Sequence, residues 1–262
     1  MSTMLATLDE RGAPTLTLSA PARDVSAGLH PWGFWSSLAW GLFGVATALF
    51  ASVAYATLWM LTHELRVPDP ADAAFANVLG MVGLVAPIVV LAIAVKSRSC
   101  SLRNYFALNR APRRDIVLGI ACLLALIGAF EAMEVLIGID GGTKSVSATY
   151  QAAKLAGALP VLWLSVVIVA PVAEELLFRG FLHCGWSTSR LGASGTIMLT
   201  SVMWAALHQQ YSWVGIVYIF IIGLIFGWMR QRSGSTTLTI GLHALNNLIA
   251  TVLVAVQIEW LS

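Results

Sequence analysis

Charge is what this sequence has least of. Only 11% of its 262 residues are Asp, Glu, Lys or Arg, while 58% are hydrophobic. Soluble domains carry about 25% charged residues, so an ordinary soluble globular domain is excluded and a membrane protein is left. The net charge of +2 is too small to argue for a nucleic-acid partner. Cysteine is scarce as well. Cys100, Cys122 and Cys184 are too few and too scattered for a disulfide framework, and no C-x-x-C supports a zinc–thiolate site. They read as free thiols in or near apolar helices. Residues 1–32 lack a basic start followed by an apolar core, so they do not read as a signal peptide. With Asp9, Glu10, Arg11, Arg23 and three prolines, they read as a disordered cytoplasmic tail. There is no internal repeat and no H-E-x-x-H. The S-G-S-T-T run at Ser233 to Thr237 has no P-loop lysine and reads as a turn with helix-capping residues.

What the chain has is apolar runs near the ~20 residues that cross a bilayer. They predict an all-α polytopic membrane helix bundle over residues 33–262. We count seven spans: Gly33 to Leu61, Phe75 to Val95 with Pro87 as a kink, Ile116 to Ile139, one from Leu159, Thr196 to Leu207, Trp213 to Met229, and Leu238 to Ile258. An eighth follows if the long first run is broken. Ten tryptophans suit interfacial anchors. Lys96, Arg98, Arg103, Arg110, Arg113 and Arg114 make the strongest basic cluster, which places that loop in the cytoplasm. The N-terminus is then inside, the membrane is the cell (inner) membrane, and the loops with Arg179 and Arg190 and with Arg230 and Arg232 also fall inside. The basic loop favours anionic lipids only in the generic sense of orientation.

The stretch P-V-A-E-E-L-L-F-R-G, Pro171 to Gly180, breaks the pattern. It ends an apolar run that carries no charge between Leu159 and Glu174. Carboxylates in such a segment are costly and demand a reason. On a helix Glu175 and Arg179 are four apart and pair on one face. Glu174 lies about 100° round and has Phe178 at its own i+4. One carboxylate is thereby neutralised while the other is free for chemistry, toward the cytoplasmic half of the span. Span five holds Trp204 and His208, one turn apart. Span seven holds His243 and Asn247 on one face. Polar pairs on apolar helices look into a protein interior or a wet cavity.

These residues alone leave three readings open. They could be interhelical hydrogen-bonding glue. Two histidines and a carboxylate could hold zinc or iron. Or a glutamate in a low-dielectric cavity could act as general base, an imidazole could hold its water, and a second His with an Asn amide could stabilise an oxyanion. The last would be a peptidase without a nucleophilic Ser or Cys.

Taken in order, E-E-x-x-x-R at Glu174, Glu175 and Arg179, the aromatic-x-x-x-H of Trp204 and His208, and H-x-x-x-N at His243 and Asn247 resemble the CPBP family of intramembrane proteases. That family includes the type II CAAX prenyl endopeptidases, bacteriocin-processing relatives and abortive-infection proteins. The resemblance covers about Leu159 to Val254. Trp204 departs from it, since phenylalanine is common there. The resemblance implies a catalytic core at about 159–254 that hydrolyses a peptide bond of a membrane-associated peptide or protein, prenylated in the CAAX branch. Glu174 would be the base for water, His208 would orient that water, His243 and Asn247 would stabilise the oxyanion, and Glu175 and Arg179 would support them. The family has been described both as metal-dependent and as glutamate-dependent. We favour no metal cofactor, with zinc as the alternative.

One tension follows from these boundaries. His208 falls near the outer end of span five and His243 near the inner end of span seven, so span five must be short, tilted or offset. Glu131 and Glu134 lie three apart in span three and could line a substrate path or serve structure. His183, His63 and His30 read as interfacial. The rival from another class is a non-catalytic membrane scaffold or immunity protein. A transporter is disfavoured, because the paired inverted halves and Gly/Pro-broken helices of that class are missing.

Overall fold

The computed structural model describes residues 4–8, 14–18, 30–68, 72–138 and 143–260. Within the expected tail, β1 (Met4–Leu8) pairs antiparallel with β2 (Pro14–Leu18), Met4 opposite Leu18. The rest of the tail before His30 lies outside the described residues. The remainder, Pro31 onward, is one helical unit. It comprises α1 (Phe34–Thr62), α2 (Ala73–Lys96), the short α3 (Leu102–Tyr105), α4 (Arg113–Ile137), α5 (Thr143–Leu155), α6 (Leu159–Trp186), α7 (Gly192–Ala206), α8 (Trp213–Ser233) and α9 (Thr236–Trp260).

Six of these helices, α1, α2, α4, α6, α8 and α9, are long and apolar enough to cross a membrane. The sequence reading counted seven. The difference is α7, whose 15 residues reach only about 22 Å at 1.5 Å per residue, against a hydrocarbon core of about 30 Å. Nor does α1 break to give an eighth. Its 29 residues are continuous, and α2 likewise runs through Pro87.

The helix ends follow local rules. Asp72 Oδ1 accepts from Phe75 N at 3.0 Å to cap α2, and Ser212 Oγ accepts from Gly215 N at 3.2 Å to cap α8. Gly234 takes φ +67° to end α8. Ser235 then accepts from Leu238 N at 3.1 Å, so the S-G-S-T-T run is a turn and a cap. A tight α8–α9 hairpin results.

The helices share two ends. At one lie the basic cluster, α3, the start of α4, the end of α6 and the α8–α9 turn. This end is packed solid. Tyr105, Phe181, Trp186 and Met229 are fully buried. Thr236 N donates to Ala107 O at 3.0 Å and Ser235 Oγ to Asn109 O, so the loop after α3 is tied beneath the hairpin. Trp186 Nε1 donates to Phe34 O at 3.1 Å, and Trp32 Nε1 to Ala94 O at 3.0 Å. At the other end α5 packs on the end of α9, where Lys154 pairs with Glu259 at 2.7 Å.

Candidate functional site

The site is built on an irregularity in α6. Leu164–Val169 and Leu176–Leu182 are π-helical, a winding that often marks functional sites. In the first of these stretches Ala170 N–H reaches back five residues to Ser165 O. The next carbonyl in that register, Val166, would take its hydrogen from residue 171. That residue is Pro171, which has no N–H. A carbonyl orphaned in an apolar bundle needs another donor, and Asn247 supplies it: Nδ2 donates to Val166 O at 2.9 Å. Asn247 is itself held by a relay. Tyr218 Oη donates to Asn246 Oδ1 at 2.7 Å, and Asn246 Nδ2 donates to Asn247 Oδ1 at 3.2 Å.

The two glutamates part as adjacent helical positions should. Glu175 is fully buried and pairs with Arg179 Nη1 at 2.9 Å. Its Oε1 also receives His243 Nδ1 at 3.2 Å. Arg179 is fixed further by Gly223 O at 3.1 Å and by the Trp204 ring, 4.7 Å from its guanidinium carbon. Glu174 is half-buried on the wall of a cavity of about 750 Å³, and its Oε2 accepts from the Trp204 indole N–H. His208 Nδ1 lies 2.8 Å from Trp204 O. A carbonyl only accepts, so Nδ1 carries the proton and Nε2 of the neutral ring is an acceptor. By the same rule His243 Nδ1 donates to the Glu175 carboxylate, and the ring donates from Nε2 only as imidazolium.

Glu174, His208, His243 and Asn247 all line this one cavity, while Glu175 and Arg179 lie packed beside it. The short α7 is what allows this. Trp204 is twelve residues from the start of α7 and Glu174 twelve from the end of α6, so both stand about 18 Å above that shared end. His208 follows in the loop 207–212 instead of riding to the far end of a full span. Glu174 is therefore near mid-span, slightly toward the basic end. Glu131 and Glu134 stand on the cavity wall too, with Tyr211 and Tyr218. Burial, then the Glu174 carboxylate, push the Tyr211 phenol up from its ordinary value, so it stays a donor.

Sequence reasoning missed Trp204 as a hydrogen-bond donor and noted it only as the aromatic residue of its motif. It also missed Tyr218 and Asn246, although Asn246 stands next to a residue it singled out. His183, read as interfacial, is buried, with no partner for Nε2 among the described residues. It follows directly on the second π-helical stretch, whose wider turn rotates the next residues off the face that regular α spacing predicts. His63 is exposed at the end of α1, stacked on Trp59 at 4.0 Å, and His30 is exposed. Among the described residues, no three His, Cys, Asp or Glu side chains are placed to share a metal ion. Glu174 Oε2 is engaged by an indole, and the Nδ1 atoms of His208 and His243 by a carbonyl and a carboxylate, which leaves both Nε2 atoms unclaimed by these bonds.

Comparison with known proteins bears on the same segment. The chain is 38% identical over 88 residues to an "Uncharacterized 24.3 kDa protein" of Escherichia coli, covering 30% of this chain and 38% of that protein. It is 26% identical over 106 residues to "UPF0177 protein YxdF" of Lactococcus lactis subsp. lactis (strain IL1403), covering 40% of this chain and 57% of that protein. The chain thus spans well under two thirds of the length of either relative. No solved structure matches it. Residues 156–249, which hold Glu174, Glu175, Arg179, His208, His243 and Asn247, match the family described as "Type II CAAX prenyl endopeptidase Rce1-like", the branch of intramembrane proteases to which the three motifs pointed.

Proposed function

We propose that the chain is an intramembrane endopeptidase that hydrolyses a peptide bond of a membrane-associated peptide or protein with a water activated by Glu174. The observation that carries this reading is the convergence of Glu174, His208, His243 and Asn247 on one cavity. A water there donates one hydrogen to the free oxygen of Glu174 and the other to His208 Nε2. Its lone pair is then left for the substrate carbonyl. As the oxygen–carbon bond forms, Glu174 takes the water's proton and the carbonyl oxygen becomes an oxyanion. The second N–H of Asn247 and Nε2–H of a protonated His243 are its donors. Glu174 then delivers the proton to the leaving amine as the carbon–nitrogen bond breaks. Glu175 and Arg179 hold His243 and the Trp204 ring in place. The reaction needs no metal in this scheme. The excess of Lys and Arg in the loops supports a cytoplasmic position for the basic end of a bundle held in the cell (inner) membrane.

The test is Glu174→Gln, which keeps the shape and removes the base. Purified in detergent and assayed on a quenched peptide library with and without a prenylated cysteine, it should lose about a hundredfold or more of the wild-type rate. Its helix content should be unchanged. A Gln variant as active as wild type rejects the scheme and leaves the polar cluster as a scaffold or partner-binding element.

A further inference from the structure

The direction in which the cavity opens bears on the substrate. Its floor is Glu174, Trp204 and His243, and its walls rise from there through Tyr218 and Asn247 to Thr143, Gln210 and Gln257. Thr143 begins α5, Gln257 is in the last turn of α9, and Gln210 is in the α7–α8 loop, all at the end away from the basic cluster. Gln210 and Gln257 are exposed. Below the floor the way is shut by Glu175, Arg179, Phe226 and Met229, all fully buried. Beneath those, Arg230 Nε donates to Arg179 O and to Thr236 Oγ1, both at 3.0 Å.

Charge divides the two ends with equal clarity. Arg190, Arg230 and Arg232 join the six Lys and Arg of the cluster at the closed end. At the open end the described residues include only Arg66, Lys144 and Lys154. Lys154 is paired with Glu259 and Arg66 with Glu64. Basic loops stay cytoplasmic.

We infer that the cavity is open to the non-cytoplasmic side and that its substrate is a peptide or protein segment presented there, not a cytoplasmic C-terminal tail. The inference about the substrate rests on the peptidase reading; the inference about access does not. The prenylated-tail chemistry of the matched family thus does not transfer with its motifs, since such a tail would meet the closed end.

The test labels engineered cysteines in spheroplasts expressing the full chain, with Cys100, Cys122 and Cys184 replaced by alanine. Gln210→Cys and Gln257→Cys probe the open end and Arg110→Cys the closed end. A membrane-impermeant sulfonated maleimide should label the first two in intact spheroplasts. It should reach Arg110→Cys only after the membrane is opened. The reverse pattern, or protection of Gln210→Cys and Gln257→Cys in intact spheroplasts, overturns the inference. The same Gln210→Cys protein, purified into liposomes, should lose peptidase activity when the maleimide is attached, while labelled Arg110→Cys keeps it. Activity that survives attachment at both Gln210→Cys and Gln257→Cys overturns entry by this mouth. A chain inactive before labelling counts against the peptidase reading, and the labelling pattern still decides access.

Discussion

At the scale of single residues, the site is a set of side chains each fixed by a different partner. Trp204 binds four of them: its indole N–H holds Glu174, its face covers Arg179, and its edge meets His208 and His243 at ring distances of 5.4 and 5.2 Å. Trp204→Phe keeps an aromatic side chain and removes the donor. It should lower kcat with KM nearly unchanged, as measured by steady-state kinetics, and the smaller ring left in a buried site should lower the melting temperature modestly. Glu175→Gln acts differently, because it leaves the Arg179 guanidinium buried without its counter-charge. Breaking such a pair costs about 3–5 kcal/mol, so the variant should melt markedly lower than wild type. Much of this was legible in the sequence. The i, i+4 spacing of Glu175 and Arg179 dictates their pairing, and the one-residue offset turns Glu174 away. The indole bond was not legible, because spacing reports which face a side chain occupies and not which atom on it meets a partner from another helix.

At the scale of elements, two irregularities set the geometry. The π-helical stretch before Pro171 frees the Val166 carbonyl, and Asn247 answers it. Asn247→Ala should therefore cost stability as well as activity, by about 1–3 kcal/mol for the carbonyl left unsatisfied. The melting curve of Asn247→Ala, read beside its kcat, checks both effects. The shortness of α7 is the second irregularity. Extending it by one turn would raise His208 about 5 Å relative to Glu174, and should abolish peptidase activity while helix content by circular dichroism is retained. A closely packed point lies at the other end. A Cβ on Gly185 would come within 2.5 Å of Trp32 O, so Gly185→Ala forces backbone to shift and should destabilise by about 1–3 kcal/mol. The lengths of the long helices were readable from hydropathy alone. The true span of α7 was only hinted at, by the mismatch in depth between His208 and His243. The π winding was not readable, since it leaves no periodicity that seven residues could reveal.

At the scale of the whole molecule, the bundle is polarised. One end is basic, tied together by backbone and arginine hydrogen bonds, and closed. The other carries fewer basic residues and leads down to the site. Carboxylates at mid-membrane depth are costly, and the bundle keeps Glu174 there against an indole donor while it shields Glu175 with Arg179. Positive charge in the loops made the polarity readable from sequence. The side on which the cavity opens needed the helices in three dimensions.

Glu174, and not a metal, is proposed to activate the water. The most direct measurement is the peptidase rate of the purified chain in liposomes, wild type beside Glu174→Gln, each before and after incubation with a tight zinc chelator. The wild-type rate should be unchanged by the chelator, and the Glu174→Gln rate should stay at background throughout. A wild-type rate abolished by the chelator and restored by added zinc would contradict that role for Glu174.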